Sequence, residues 1–147
     1  MMAETKAASV AVGPVLRLAE AINRHDLDAL VARFTDDYAV EMPAHPARSF
    51  RGRDQVRRNW EQILGAVPDL RAELVGYAVD GETVWAEWDW AGTRRDGGHH
   101  HLRGTTILGL HGDLIAWSRF YLEPVEDAGQ AIDEAIQASL RDREDDR

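Results

Sequence analysis

With 147 residues, 44% of them hydrophobic and none of them cysteine, the chain is long enough for one domain that buries its own core. The lack of cysteine excludes a disulfide scaffold, a thiolate metal or iron–sulfur site and a cysteine nucleophile. A formal charge of −9 argues against sequence-independent nucleic-acid binding, whose affinity comes from neutralising phosphates. No apolar run nears the roughly 18 residues of a membrane span. The opening residues also lack the basic-then-apolar order of a secretion signal. Expected partners therefore exclude nucleic acid and membrane, and the expected location is the cytoplasm. The single lysine, Lys6, sits outside the expected core, which speaks against Schiff-base chemistry. Five tryptophans imply either a large core or an aromatic-lined cavity.

Residues 1–12 are small and weakly patterned and read as a loose arm, followed by one domain over 13–140 and a charged tail over 141–147. From Pro14, the spacing of Val15, Leu18, Ala19 and Ile22 predicts a helix with proline in its first turn. Asn23-Arg24-His25 ends it. Asp26 caps a short second helix with Leu27, Leu30, Val31 and Phe34 on one face. Thr35-Asp36-Asp37 reads as a turn, and residues 38–42 as a short strand stopped by Pro43 and Pro46. Gly52 precedes a third helix, residues 53–66, with Val56, Trp60, Ile63 and Leu64 on its apolar side.

From there to Pro124 the pattern is strand and turn. Strands are predicted over 70–79, 83–93, 99–110 and 114–122, joined at Asp80-Gly81, at Arg94 to Gly98 and at His111-Gly112-Asp113. Val125, Ala128, Ile132, Ala135, Ile136 and Leu140 then mark an amphipathic terminal helix. Segregated helices and an antiparallel meander make the fold class α+β. In the strand Val84 to Trp90, alternation puts Val84, Ala86, Trp88 and Trp90 on one face and Trp85, Glu87 and Asp89 on the other. The apolar set is expected to face a cavity, with Leu108 and the helical Trp60 beside it, and the acids to face outward.

The stretch Ala21 to Leu30, then Phe34 to Val40, resembles the opening of the NTF2-like superfamily. Phe50-Arg51-Gly52 before the third helix and Gly112 to Ile115 before the last strand are similar too. Within the superfamily the chain most resembles SnoaL-like proteins, relatives of ketosteroid isomerases and limonene epoxide hydrolase, over residues 14–124. The resemblance implies a conical α+β barrel with a deep pocket and a homodimer packed through the outer sheet face. It implies cofactor-free acid–base chemistry (isomerisation, cyclisation or hydrolysis) on a small apolar cyclic or carbonyl-bearing molecule, or else non-catalytic binding of such a molecule.

Carried over by position, the resemblance matches Met42, Leu18 and Gly104 to the isomerases' proton-shuttling acid, oxyanion-hole tyrosine and oxyanion-hole acid. None of the three can do that work. Asp89 matches one aspartate of the epoxide hydrolase set and is a candidate general base. Family geometry makes Trp117, Arg119 and Tyr121 of the last strand a pocket wall, where Arg119 and Tyr121 would stabilise a developing oxyanion. His45, in the loop that rims the family's pocket, is the other candidate base, since imidazole is the side chain that titrates near neutrality.

The expected site is therefore His45, Asp89, Arg119 and Tyr121 for chemistry, with Trp60, Ala86, Trp88, Trp90, Leu108 and Trp117 shaping the pocket. His99-His100-His101 has the composition of a metal tract, but neighbours on a strand point to opposite faces, so no metal site is expected. Arg48, Arg51, Arg53, Arg57 and Arg58 read as a solvated patch, with Arg57 spaced to pair with Glu61.

Overall fold

The computed structural model describes residues 2–145, with side-chain surroundings for residues 9–141. Its elements are α1 (Met2–Asn23), α2 (Leu27–Val31), β1 (Phe34–Glu41), a 3-10 turn at Pro46–Arg48, β2 (Phe50–Arg51), α3 (Arg53–Ala66), β3 (Arg71–Asp80), β4 (Thr83–Thr93), β5 (His99–His111), β6 (Leu114–Pro124) and α4 (Ile132–Asp145). The six strands form one curved, open sheet in the order β2-β1-β6-β5-β4-β3. The predicted meander β3 to β6 is antiparallel throughout, whereas β1 joins β6 in parallel. Among the described residues no helix is long and apolar enough to cross a membrane.

Several boundaries differ from the sequence reading. The arm over residues 1–12 is helical from Met2 (Met1 lies outside the described residues), and Pro14 sits inside α1 instead of starting it. A proline there has no N–H to donate to the Val10 carbonyl, a local cost that the burial of Val12, Val15, Leu18 and Ile22 offsets. The expected turn Thr35-Asp36-Asp37 is part of β1. At the other end, α4 starts at Ile132 rather than near Val125 and continues through Arg141 into the residues read as a tail; 146 and 147 lie outside the described residues. Its Ile132, Ile136 and Leu140 are exposed.

The core lies between α1, α2, α3 and the concave face of the sheet, where Leu30, Leu70, Val84, Trp88 and Ile115 are fully buried. The tripeptide that ends α1 also fastens it to the sheet. Asn23 donates through Nδ2 to the Ala72 carbonyl at 3.0 Å and accepts at Oδ1 from the Ala72 N–H at 2.7 Å. His25, with φ +55°, bonds the Leu70 carbonyl through Nε2 at 2.9 Å.

Strand β6 contains the irregularity that matters most for the site. Gly109 pairs with Trp117 and Leu110 with Ile115, so Ala116 is an extra residue on β6, a β-bulge. Ile115 points into the core. Beyond the bulge the alternation is inverted, and Ser118 is the residue that points in, at 2% exposure. Trp117 is turned outward, its indole lying over Gly109 where any Cβ would collide with it.

Asn23→Ala removes both bonds to Ala72 and leaves a half-buried strand N–H without a partner. The expected loss is about 1–3 kcal/mol, read as a lower denaturant midpoint with an unchanged m-value.

Candidate functional site

A cavity of about 310 Å³ opens between α3, β1 and the concave face of β4, β5 and β6, at the small end of the range typical of ligand sites. Its wall is mainly aromatic and aliphatic: Phe34, Phe50, Trp60, Trp88, Trp90, Leu102, Leu108, Phe120 and Leu122. The strand alternation that faces Trp88 and Trp90 inward brings Trp90 against Trp60 of α3 and beside Trp88. The Trp60–Trp90 ring centroids are 5.4 Å apart and the Trp88–Trp90 centroids 5.9 Å, tilted and edge-to-face respectively. The Trp88 indole N–H donates to Thr106 Oγ1 at 2.9 Å, a bond wholly inside the protein that fixes the ring.

Polar groups occur at both ends. At the buried end the Tyr38 phenol faces the Ser118 hydroxyl. Burial pushes the phenol far above its ordinary range, partly offset by Ser118, so it stays protonated and able to donate. The Ser118 hydroxyl makes no hydrogen bond of good geometry. At the mouth, His45 Nε2 lies 2.9 Å from Glu123 Oε1, and both side chains line the cavity while remaining partly open to solvent. A carboxylate only accepts, so Nε2 is the donor in this contact, and in a neutral ring Nδ1 is then the nitrogen with the lone pair. Arg48 and Asn59 complete the rim.

The expected site residues divide between the two sides of the sheet. Trp60, Trp88, Trp90, Leu108 and His45 line the cavity, and Ala86 is fully buried behind it. Trp117, Arg119 and Tyr121 do not line it. The bulge at Ala116 inverts the expected alternation, so Ser118, Phe120 and Leu122 form the wall and the other three lie on the convex face. There the Arg119 guanidinium stacks over Trp117 at 5.1 Å from the ring centroid. The two residues also border an open hollow between β1, β2 and β6 that does not contain the aromatic cluster.

Asp89 lies outside as well. It accepts from His101 Nε2 at 2.9 Å and has Arg103 at 3.7 Å, an arrangement that occupies the carboxylate on the convex face. The partner of the histidine tract is thus an aspartate, and no cluster of potential metal ligands occurs among the described residues. Burial, then the charge of Arg94, pushes the His100 imidazole down, which favours its neutral form. Arg57 pairs with Asp28 at 2.9 Å instead of Glu61, tying α3 to α2. At Gly104 the φ of +146° and the adjacent Tyr121 carbonyl leave no room for a side chain, so no acid is accommodated there. Glu123, absent from the expected set, stands 78 residues from His45. The sequence signal for it is positional: the resemblance to SnoaL-like cyclases places their last-strand aspartate near Leu122, the residue beside it.

Residues 15–117 match the model of the SnoaL-like domain. No curated protein matches the sequence significantly. Among solved structures, AclR from Streptomyces galilaeus is 16% identical, with a TM-score of 0.71 over 93% of this chain and 98% of that one. An LEH-like epoxide hydrolase from M. tuberculosis is 18% identical, with a TM-score of 0.68 over 79% of this chain and 84% of its own. A protein from Jannaschia sp. CCS1, named for its likeness to SnoaL-like polyketide cyclases, is 16% identical, with a TM-score of 0.68 over 80% and 88%. At these identities the likeness is one of fold.

Thr106→Val keeps the shape of the wall but leaves the Trp88 N–H buried without an acceptor. A loss of about 1–3 kcal/mol is expected on chemical denaturation, with the cavity's size preserved.

Proposed function

Because the chain belongs to the SnoaL-like domain family, we propose that it works through its aromatic cavity on a small, largely apolar, carbonyl-bearing molecule, with His45 as general base. The observation that carries this reading is the 2.9 Å contact between His45 Nε2 and Glu123 Oε1 at the mouth of the cavity lined by Trp60, Trp88 and Trp90. Glu123 orients the ring and stabilises the imidazolium that forms as Nδ1 takes a proton. The apolar wall excludes water and positions the carbon acid. The reaction class is cofactor-free proton abstraction, as in isomerisation or aldol-type cyclisation. Arg119, Tyr121 and Asp89 have no part in it from the convex face.

The test follows exchange of α-hydrogens for deuterium in cyclic ketones, by NMR in D2O. His45→Ala is expected to lower the protein-catalysed rate by about 10²–10⁴-fold, and Glu123→Gln by a smaller factor. If the wild-type protein exchanges no ketone faster than buffer, the catalytic reading falls.

A second reading, a non-catalytic binder, is favoured by one observation. Glu123 is the only carboxylate among the cavity's lining residues, and its side chain is 51% exposed at the rim. Ligand-dependent tryptophan fluorescence without any exchange would select that reading.

We also propose a homodimer through the convex face, where Trp85 and Tyr121 are 37% and 42% exposed. Such rings on the outside of a sheet suit a covered surface. Trp85→Arg is expected to lower the sedimentation mass from dimer to monomer.

A further inference from the structure

A directed chain of hydrogen bonds runs along α3 and ends at the cavity. Arg58 donates through Nη2 to Gln55 Oε1 at 2.7 Å, and Gln55 Nε2 donates to Asn59 Oδ1 at 2.7 Å. Spacings of three and four residues put the three side chains side by side on the helix. A guanidinium can only donate, so the Gln55 oxygen must meet Arg58 and its amide nitrogen must meet Asn59. Asn59 therefore has its oxygen taken and offers its Nδ2 hydrogens, which meet no acceptor among the described residues. Hydrogen bonds in series polarise one another, so the Arg58 charge strengthens Asn59 as a donor. Asn59 is half-buried and lines the cavity.

Arg48 stands at the same rim. Arg53 and Arg57 of α3 are paired with Asp36 and Asp28, whereas the Arg48 guanidinium forms no ion pair among the described residues. The rim thus presents two uncommitted donors, one of them charged, next to an aromatic wall. Their common complement is an acceptor with negative charge, because a charge-assisted hydrogen bond is about twice as strong as a neutral one. A carboxylate is planar and matches the guanidinium fork. A doubly charged group suits the place less. The chain carries a formal charge of −9, and the mouth holds a carboxylate of its own, Glu123, whose Oε1 accepts from His45. Such surroundings favour the smallest charge that the two donors recognise.

We propose that the ligand is an amphipathic monoanion, its apolar body inside the aromatic cavity and a carboxylate at the mouth held by Arg48 and Asn59. Arg58 and Gln55 are positioning residues, which set the direction in which the Asn59 amide points its donors. The inference rests on the reading of the cavity as a ligand site and adds the charge of the ligand and the end at which that charge sits. Joined to that reading, it makes the substrate class an oxo acid. It assigns Arg48 and Asn59 to specificity, apart from the His45–Glu123 pair.

The experiment compares 4-cyclohexylbutanoate with 4-cyclohexylbutan-1-ol at neutral pH, each titrated against the intrinsic tryptophan fluorescence of the full chain. The carboxylate is expected to bind about tenfold tighter than the alcohol, the worth of one hydrogen bond to a charged group. Added sodium chloride should shrink that preference, since Arg48 is exposed. Arg48→Met keeps the stem, removes the charge and is expected to bring the ratio close to one, with a much smaller change in the alcohol's affinity. Arg58→Met touches neither ligand, yet it frees both amides to turn and should lower the ratio about threefold. Arg58→Lys, which restores a group that can only donate, should recover most of it. Both arginines are exposed, so the variants leave the core intact. Equal affinities for the two ligands, or a ratio unchanged by Arg48→Met, would overturn the inference and leave the cavity as a ligand site. A ratio that falls in Arg48→Met but not in Arg58→Met would overturn the part assigned to Asn59 and its positioning residues. Failure of both ligands to bind would overturn the inference and the ligand-site reading together.

Discussion

Between Ile115 and Trp117, β6 carries one residue more than the β5 segment opposite it, and that offset decides which half of the strand faces the interior. Without the bulge at Ala116, strict alternation from Ile115 would turn Trp117, Arg119 and Tyr121 inward and Ser118, Phe120 and Leu122 out. The bulge is held from both sides. Ile115 is fully buried before it, and the Trp117 ring lies on Gly109 after it, capped by the Arg119 guanidinium. Glycine at position 109 is what lets the indole sit flat on the strand. An outer-face stack thus fixes the inner face.

Behind that wall the interior has a division of labour. Trp88 is tied to Thr106 and serves as a fixed surface, Trp90 packs edge-on against it, and Trp60 of α3 packs in turn against Trp90. The helix that supplies Trp60 is anchored by ion pairs from Arg57 to Asp28 and from Arg53 to Asp36. These pairs are exposed, and each contributes little to stability. They do, however, orient α3 against α2 and β1, and so orient the ring that closes one side of the cavity.

Much of this was legible in the residues. The alternation from Val84 to Trp90 is unbroken, so its apolar set faces inward as the period demands. The spacing of Val56 and Trp60 put the right side of α3 toward the sheet. The β6 segment misled because Leu114 to Leu122 alternates as regularly as β4 does. A bulge is recorded only in its register against β5, which no single strand reveals. The His45–Glu123 pair was hidden for a related reason: it depends on the loop after β1 arriving beside the end of β6, a meeting fixed by tertiary pairing and not by local pattern. Asp89 faces outward as the alternation of β4 requires, which removes it from the catalytic place that the family match gave it, and its occupation by His101 follows from the cross-strand neighbourhood of β4 and β5. The N-terminal residues were obscured by Pro14, whose usual place is the first turn of a helix.

The parallel seam between β1 and β6 has a consequence for how the chain comes together. Every other contact in the sheet joins strands that are neighbours in sequence, and these can zip up as hairpins soon after they are synthesised. The β1–β6 seam must wait until the whole meander exists, and closing so long a loop is entropically slow. On the ribosome, the first strand therefore stays unmated along one edge until the sixth has emerged. The entrance to the cavity, flanked by the loop after β1 and the end of β6, is complete only once that seam has closed.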